Sequence, residues 1–437
     1  MLLGDTLLIT LIVLFILWLP YTISWETAWS MPHTLLIMGL LLTVTLLSLY
    51  ILGMYDISRV QRIDTLLISL FIALGIVFLV HNTFAYLLSI VRPGRRFILI
   101  FISLSVVLLF FWRLFISKYF ELDPKRILII GNDEITTNLK ELLKKEMSKY
   151  YAVVGHWHRH SHNPTFPNLA SFVEKEQIDM IVYSSHSQVL NRLANTLCKL
   201  RFQQKNIHEA SSFYQNLTGK FPIFFLDDFG VLINSEREFF FPRLQAKIKR
   251  VFDILFSLCC LPVGGPLILL SAILIKLESK GPVFFIQERL GHNEVPFKLI
   301  KLRTMVADAE KAGPQWCKDN DSRITAVGKF LRTFRLDELP QLINVLKGEM
   351  SLVGPRPLLK HFTDKLAEQI PYYRLRFLAK PGITGWAQIC YGHANKVEDH
   401  MQMVQYDMYY IVHQSIWLDL FIIFKTIRVI LWAQGSR

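Results

Sequence analysis

Residues 251–277 read VFDILFSLCCLPVGGPLILLSAILIKL. As one straight helix this stretch would reach about 40 Å, more than the ~30 Å hydrocarbon core of a bilayer requires. Its middle holds Pro262, Gly265 and Pro266 within Leu261–Pro266. Prolines remove amide donors and bend a helix. Lys247, Lys249 and Arg250 precede the stretch, and Lys276 and Lys280 lie at its far end. Two readings stand on these residues alone. One is a kinked spanning helix. The other is a helix that enters and leaves the same leaflet, both cationic ends at the anionic face.

Composition agrees with a membrane protein. The 437 residues are 52% hydrophobic and carry a formal charge of +13. In such a chain the excess cations suit lipid headgroups and a phosphorylated substrate; no arginine–aromatic pattern for nucleic acid is present. Working back from residue 251 to the N-terminus, four apolar runs stand out: Leu7–Ile23, Thr34–Gly53, Leu66–Val91 and Phe97–Ser117. Each approaches the roughly 20 residues of a spanning helix, and short loops make them a four-helix transmembrane bundle. The first run lacks a basic leader and a small-residue cleavage site, so it reads as a retained segment. Arg59 and Arg62 in the second loop compete with Arg92, Arg95 and Arg96 in the third for the cytoplasmic side.

Between the bundle and the broken stretch lies a soluble α/β segment. Arg126–Ile130, Tyr151–Gly155 and Met180–Ser184 read as strands, with helices through Leu139–Leu143 and over Leu169–Glu176. This alternation predicts a Rossmann-like parallel sheet. After the first strand the chain runs GNDEITTNL, without the glycine fingerprint that lets a pyrophosphate approach, so NAD is not expected there. His156, His158, His160 and His162 alternate after the second strand; without a cysteine beside them a polar loop is the preferred reading over zinc. Five scattered cysteines, with no CxxC, predict free thiols in a reducing compartment.

Working forward from residue 277, the chemistry concentrates at Arg335–Pro357, RLDELPQLINVLKGEMSLVGPRP. Asp337 and Glu338 follow Arg332 and Arg335, and Pro355, Arg356 and Pro357 close the stretch. One carboxylate can attack phosphorus and another can hold a divalent cation, while guanidiniums neutralise spectator oxygens. A carboxylate–arginine cluster on its own is more often a solvated ion pair. Asp319-Asn320-Asp321 offers a rival, the Asp-x-Asp metal site of a glycosyltransferase that moves sugar alone. A second rival is a non-catalytic membrane scaffold.

The surroundings decide between them. KRVFDILFS from Lys249, GPVFFIQERLG from Gly281, FKLIKLRTM from Phe297, SRITAVGKFLRTFRLDELPQLINVLKGEMSLVGPRPL from Ser322, KPGITGWAQI from Lys380 and the tail with YDMYYI occur in one order. Together they resemble the bacterial sugar transferases, polyprenyl-phosphate hexose-1-phosphate transferases that begin surface-glycan assembly (exopolysaccharide, capsule or O-antigen). The resemblance implies three domains: the bundle over 1–120, a structural or regulatory Rossmann-like domain over 121–240, and an α-rich transferase domain over 241–437. It favours a re-entrant helix over 248–278, although Gly265-Pro266 stands where the family has Ser-Pro.

It also implies a nucleoside-diphosphate sugar and a polyprenyl phosphate as substrates, with Asp337 as nucleophile and Glu338 holding Mg²⁺. Lys301, Arg303, Arg332, Arg335 and Arg356, with Pro355 and Pro357 bracketing the last, would bind phosphate. Asp407 matches a family acidic position and reads as structural. The implied place is the bacterial inner membrane, the transferase domain facing the cytoplasm. Ser415–Ala433, apolar but interrupted by Asp419, Lys425 and Arg428, is expected to lie in the interface. The sugar, the base and association with further copies of the chain are left open.

Overall fold

The computed structural model describes residues 2–18, 31–52, 54–55, 63–87, 95–119, 123–157, 169–185, 188–234, 242–306, 309, 321–392 and 396–431. They divide into two units, Met1–Asp123 and Pro124–Arg437.

The first unit holds four helices: α1 (Leu2–Trp18), α2 (Met31–Ile51), α3 (Ile63–Leu87) and α4 (Arg95–Tyr119). They are apolar all round, so the faces that do not meet each other need lipid. Ile9, Ile12 and Ile16 of α1 share a buried cluster with Leu41, Leu74, Val77 and Phe101. Leu7, Leu11 and Leu14 point outward, exposed. Leu66–Thr83 and Phe97–Ile116 are long and apolar enough to cross a membrane, whereas the apolar parts of α1 and α2 are shorter among the described residues. Arg113 of α4 pairs with Asp5 of α1 at 2.5 Å, both side chains fully buried. Removing one member of such a pair typically costs about 3–5 kcal/mol.

The second unit begins with β1 (Lys125–Ile130), α5 (Glu134–Lys145), β2 (Tyr151–Trp157), α6 (Leu169–Lys175), β3 (Met180–Tyr183), α7 (Gln188–Phe202) and β4 (Asn206–Glu209). The strands form one parallel sheet in the order β2-β1-β3-β4, as the alternation predicts. Ile127 and Ile129 pack on Leu139 and Leu143 on one face. Leu128 and Ile130 pack on Val173 and Leu197 on the other. Helices α8 (Ala210–Thr218) and α9 (Asp228–Asn234) lead out of this layer.

The chain continues with α10 (Pro242–Glu278), the antiparallel hairpin β5 (Phe284–Leu290) and β6 (Pro296–Leu302), α11 (Ala326–Thr333), α12 (Gln341–Lys347), β7 (Ser351–Val353) and α13 (Lys360–Gln369). Then come β8 (Gly382–Thr384), parallel to β7, and α14 (Trp386–Cys390), α15 (Val397–Val412) and α16 (Ile416–Leu431).

Three expectations need correction or an addition. First, no non-helical break interrupts residues 242–278: α10 is assigned as one helix of 37 residues with Pro262 and Pro266 inside it. Its contacts explain how it survives two missing donors, because one flank rests on the rest of the domain throughout. Near the start, Arg250 donates to the carbonyls of Val345 and Leu346, and Asp253 accepts from Ser351 and the Leu352 amide. In the middle, Gly264 lies against Leu339 and Leu342. At the end, Ile275 packs with Leu302 and Leu331. The other flank carries exposed Leu255, Leu258, Val263, Leu269 and Ile273.

Second, the core of the transferase domain also draws on side chains upstream of residue 241. Phe221, Ile223 and Val231 are buried in the same core as Val345, Leu352, Met408 and Ile422. The Phe221 amide donates to the Gln405 carbonyl, and Trp386 Nε1 to the Gly219 carbonyl. Large apolar side chains upstream of a plausible linker were needed to fill this core, and no local periodicity reveals that.

Third, two of the charges in α16 face protein. Asp419 is fully buried and accepts from Lys249 at 2.6 Å. Lys425 sits over the Trp386 ring. They dock the helix on the domain and carry no information about an interface with lipid.

Candidate active site

The dyad lies on a single 3-10 turn, Leu336–Glu338, between α11 and α12. Arg335 enters the turn with φ 53°, in the left-handed region that disfavours side-chain-bearing residues. Pro340 follows at the start of α12, where a missing N–H is harmless. This tight reversal brings both carboxylates inward, and both residues are buried.

Their environments differ. Glu338 Oε1 accepts from Lys301 Nζ at 3.0 Å and Arg356 Nη2 at 2.9 Å. Asp337 makes no hydrogen bond among the described residues. Burial, then the Glu338 charge, pushes the Asp337 carboxyl above the ordinary aspartate range. Burial also opposes ionisation of Glu338, but Lys301, Arg356 and Arg335 together outweigh it and hold that carboxyl well below its usual range. One carboxylate is thus a fixed anion that gathers cations, and the other is unengaged beside them.

Lys301 comes from β6, on the hairpin face that also carries Phe297 and Leu299. Arg332 reaches Thr304 Oγ1 through Nε at 2.9 Å and lowers the pKa of Asp337 by its charge. Arg356 is 34% exposed and open to a ligand. Its backbone is fixed. Arg376 donates to the Arg356 carbonyl at 3.2 Å and to Asp407 at 2.7 Å, both Arg376 and Asp407 being buried. Pro355 O accepts the Gly382 amide, and Gly354 N donates to Thr384 O, each at 2.9 Å. A Cβ on Gly382 would meet Gly354 N at 2.1 Å, so only glycine allows this backbone-on-backbone approach. The KPGITG block is therefore the bed of the Pro355–Pro357 clamp. Asp407 acts through Arg376, in keeping with its structural reading.

Arg303 is not with the others. Its guanidinium donates to the carbonyls of Ser279 and Lys280, each at 2.9 Å. It caps the end of α10, satisfying carbonyls that lack helical partners; the expectation that it binds phosphate is corrected on that geometry. Sequence reasoning also missed Arg289 and Gln341, which with Lys301, Glu338, Arg356 and Gly382 line a polar recess. The alternation in FFIQERL was the available signal, since it sets polar Gln287 and Arg289 on the hairpin's inner face.

The residues present fit a magnesium ion. Both cations bind Glu338 Oε1, and no hydrogen bond among the described residues reaches Oε2. Mg²⁺ is commonly held by one or two carboxylates completed by substrate phosphates and water. No cluster of three or more His, Cys, Asp or Glu ligands occurs among the described residues, so a cage made of protein alone is not available there.

The Asp-x-Asp rival loses ground: Asp321 is engaged by Arg323 through Nε at 2.9 Å and Nη2 at 2.6 Å. Asp319 and Asn320 lie outside the described residues, as do Cys317 and three of the four histidines, His158, His160 and His162. His156 is on β2, with Nε2 2.8 Å from the Gly131 carbonyl. The described cysteines are free thiols.

Residues 244–433 match the bacterial sugar transferase family, and residues 50–202 match a CoA-binding domain. The chain is 47% identical over 194 residues to UDP-N-acetylgalactosamine-undecaprenyl-phosphate N-acetylgalactosaminephosphotransferase of Aeromonas hydrophila, covering 44% of this chain and 46% of that one. It is 42% identical over 198 residues to UDP-glucose:undecaprenyl-phosphate glucose-1-phosphate transferase of Caulobacter vibrioides, covering 45% of this chain and 74% of the relative. A third match, undecaprenyl-phosphate glucose phosphotransferase of Komagataeibacter xylinus, is 30% identical over 71% of this chain and 60% of its own. The chain thus spans about half the length of the Aeromonas relative.

The sheet of the middle domain does not fit a coenzyme phosphate at its switch point, the carboxyl ends of the paired strands β1 and β3, after which the chain leaves to opposite faces of the sheet. Asp133 caps α5 by accepting the Thr136 amide at 3.3 Å, and Ser184 donates to its other oxygen. A fixed carboxylate occupies the place where a phosphate would sit.

Proposed function

Because the chain belongs to the bacterial sugar transferase family, we propose that it transfers a hexose-1-phosphate from a nucleoside-diphosphate sugar to polyprenyl phosphate and releases a nucleoside monophosphate. The observation that carries this reading is the asymmetry of the dyad: Glu338 gathers Lys301 and Arg356, and Asp337 beside it has no hydrogen bond among the described residues.

Asp337 attacks the sugar-linked phosphorus. An Oδ–P bond forms, the bond to the nucleotide oxygen breaks, and its electron pair leaves with the monophosphate. The polyprenyl phosphate oxygen then displaces aspartate from the aspartyl-phosphosugar. Lys301, Arg332, Arg335 and Arg356 neutralise the phosphoryl oxygens, which is most of what a protein must supply in phosphoryl transfer. Glu338 Oε2 would hold Mg²⁺, whose charge would offset that of the diphosphate.

The two substrates differ in solvent, one soluble and one anchored in lipid. Helix α10 joins them. Its start, middle and end all contact one polar domain, while its opposite flank is apolar and exposed. A helix with both ends on the same polar body is best accommodated in one leaflet, so the re-entrant topology is retained as a proposal even though the helix is unbroken. The domain then faces the cytoplasm at the bacterial inner membrane, and the product opens surface-glycan assembly.

The test incubates full-length protein in detergent with undecaprenyl phosphate and a panel of nucleotide sugars. Release of a nucleoside monophosphate is expected. Release of a diphosphate would establish the sugar-only rival, and no release with any donor would leave the scaffold reading.

A further inference from the structure

The recess beside Glu338 holds a cation that the reaction above does not use. Hairpin pairing sets Arg289 opposite Phe297, Gln287 opposite Leu299 and Phe285 opposite Lys301. Directly opposed residues share a face, so Arg289 and Lys301 project to the same side, toward the transferase core. Arg289 Nη2 donates to Gln287 Oε1 at 2.6 Å, and Nη1 points at the Pro357 carbonyl, 3.5 Å away. These contacts aim a planar guanidinium at the recess that Lys301, Glu338, Gln341 and Arg356 also line.

Arg289, Lys301 and Arg356 line the recess together with Glu338, and a lining so rich in cations suits a phosphoryl group. Two phosphates could fill it, the one carried by the lipid and the one that leaves with the nucleotide. Position separates them. The recess takes no lining residue from α10, whose exposed apolar flank is the surface for lipid. Asp337 does not line it either, although Glu338 next to it does. Attacking and leaving oxygens stand roughly in line on opposite sides of phosphorus. A recess lined by Glu338 and not by the nucleophile Asp337 suits the leaving group, which departs away from the attacking oxygen. We infer that Arg289, with Lys301 and Arg356, grips the phosphate of the departing nucleoside monophosphate, and so discriminates donor from acceptor.

This rests on the transferase reading and deepens it. Developing charge on the leaving oxygen would meet a bidentate donor, a geometry that lysine cannot reproduce.

The experiment uses full-length protein with undecaprenyl phosphate, whichever of UDP-glucose and UDP-N-acetylgalactosamine the wild type turns over, and UMP as inhibitor. Arg289→Ala is expected to raise the KM for the donor and the UMP inhibition constant about tenfold or more, since a charge-assisted hydrogen bond is commonly worth at least ~1.5 kcal/mol. The KM for undecaprenyl phosphate should stay within about twofold. Arg289→Lys should recover only part of the UMP affinity. Gln341→Glu, which adds a negative charge to the same recess, should also weaken UMP and covers the case in which Arg289→Ala does not fold. Unchanged UMP inhibition in the variants that fold would overturn the inference, as would a rise confined to the KM for undecaprenyl phosphate. A wild type that turns over no nucleotide sugar of the panel above would count against the transferase reading alone; UMP titration of wild type and variants by calorimetry would still decide the recess.

Discussion

Asp133 and Asp337 sit at comparable places, each at a turn that leads into a helix, and their fates are opposite. Asp133 has both oxygens engaged, one by the α5 amide it caps and one by Ser184. Asp337 has a neighbour, Glu338, that holds the surrounding cations and leaves it unengaged. The Rossmann-like layer has the topology of a binding fold and a crevice closed by its own carboxylate. The less regular domain after it has an open one. What separates a site from a scaffold in this chain is whether a charged side chain already has its partner.

Substitution should expose that difference most strongly at Asp337. Asp337→Asn is expected to lower turnover by at least about a thousandfold, roughly 4 kcal/mol of barrier, because an amide cannot attack phosphorus. The same variant should be no less stable at neutral pH by thermal melting. A carboxyl whose folded pKa lies above its unfolded value costs stability, a cost fully present above the folded pKa and gone below the unfolded one. Turnover within about tenfold of wild type, or a large drop in Tm, would erase the contrast and return Asp337 to a structural role.

Acidity should act next. With the Asp337 carboxyl raised, the ionised nucleophile is lost as pH falls through that raised value, so the acid limb of kcat/KM should lie above the ordinary aspartate range. Glu338, shifted down, should remain an anion throughout that window. An acid limb near pH 4 would mean that the surrounding cations fully offset the burial.

The smallest effect belongs to the other aspartate. Asp133→Ala removes a helix cap and should cost about 1 kcal/mol in stability, measured by chemical denaturation of the detergent-solubilised chain. Turnover at saturating substrate should not change. Loss of turnover without loss of stability would show that the middle domain reaches the chemistry.

Much of this protein was legible in order of residues. Runs of Ile, Leu and Phe marked the apolar helices, and the alternation of strand and helix from Arg126 to Ser184 pointed to the parallel sheet, whose fourth strand, Asn206–Glu209, only the structure added. The dyad and the Pro355–Pro357 clamp could be located by residue type and spacing. These features depend on neighbours within one turn or one strand, where periodicity and local backbone preference act. The tertiary structure decided partnership. Arg303 and Lys301 are two residues apart on one chain segment, yet one caps α10 and the other reaches Glu338. Phe221 joins a core completed by Ile422, and Asp419 is paired with Lys249 at a separation of 170 residues. A guanidinium or carboxylate can satisfy itself with any opposite group that folding brings near, and burial makes that choice binding. Sequence sets which charges are available; only packing across long separations determines which are engaged and which are left for a substrate.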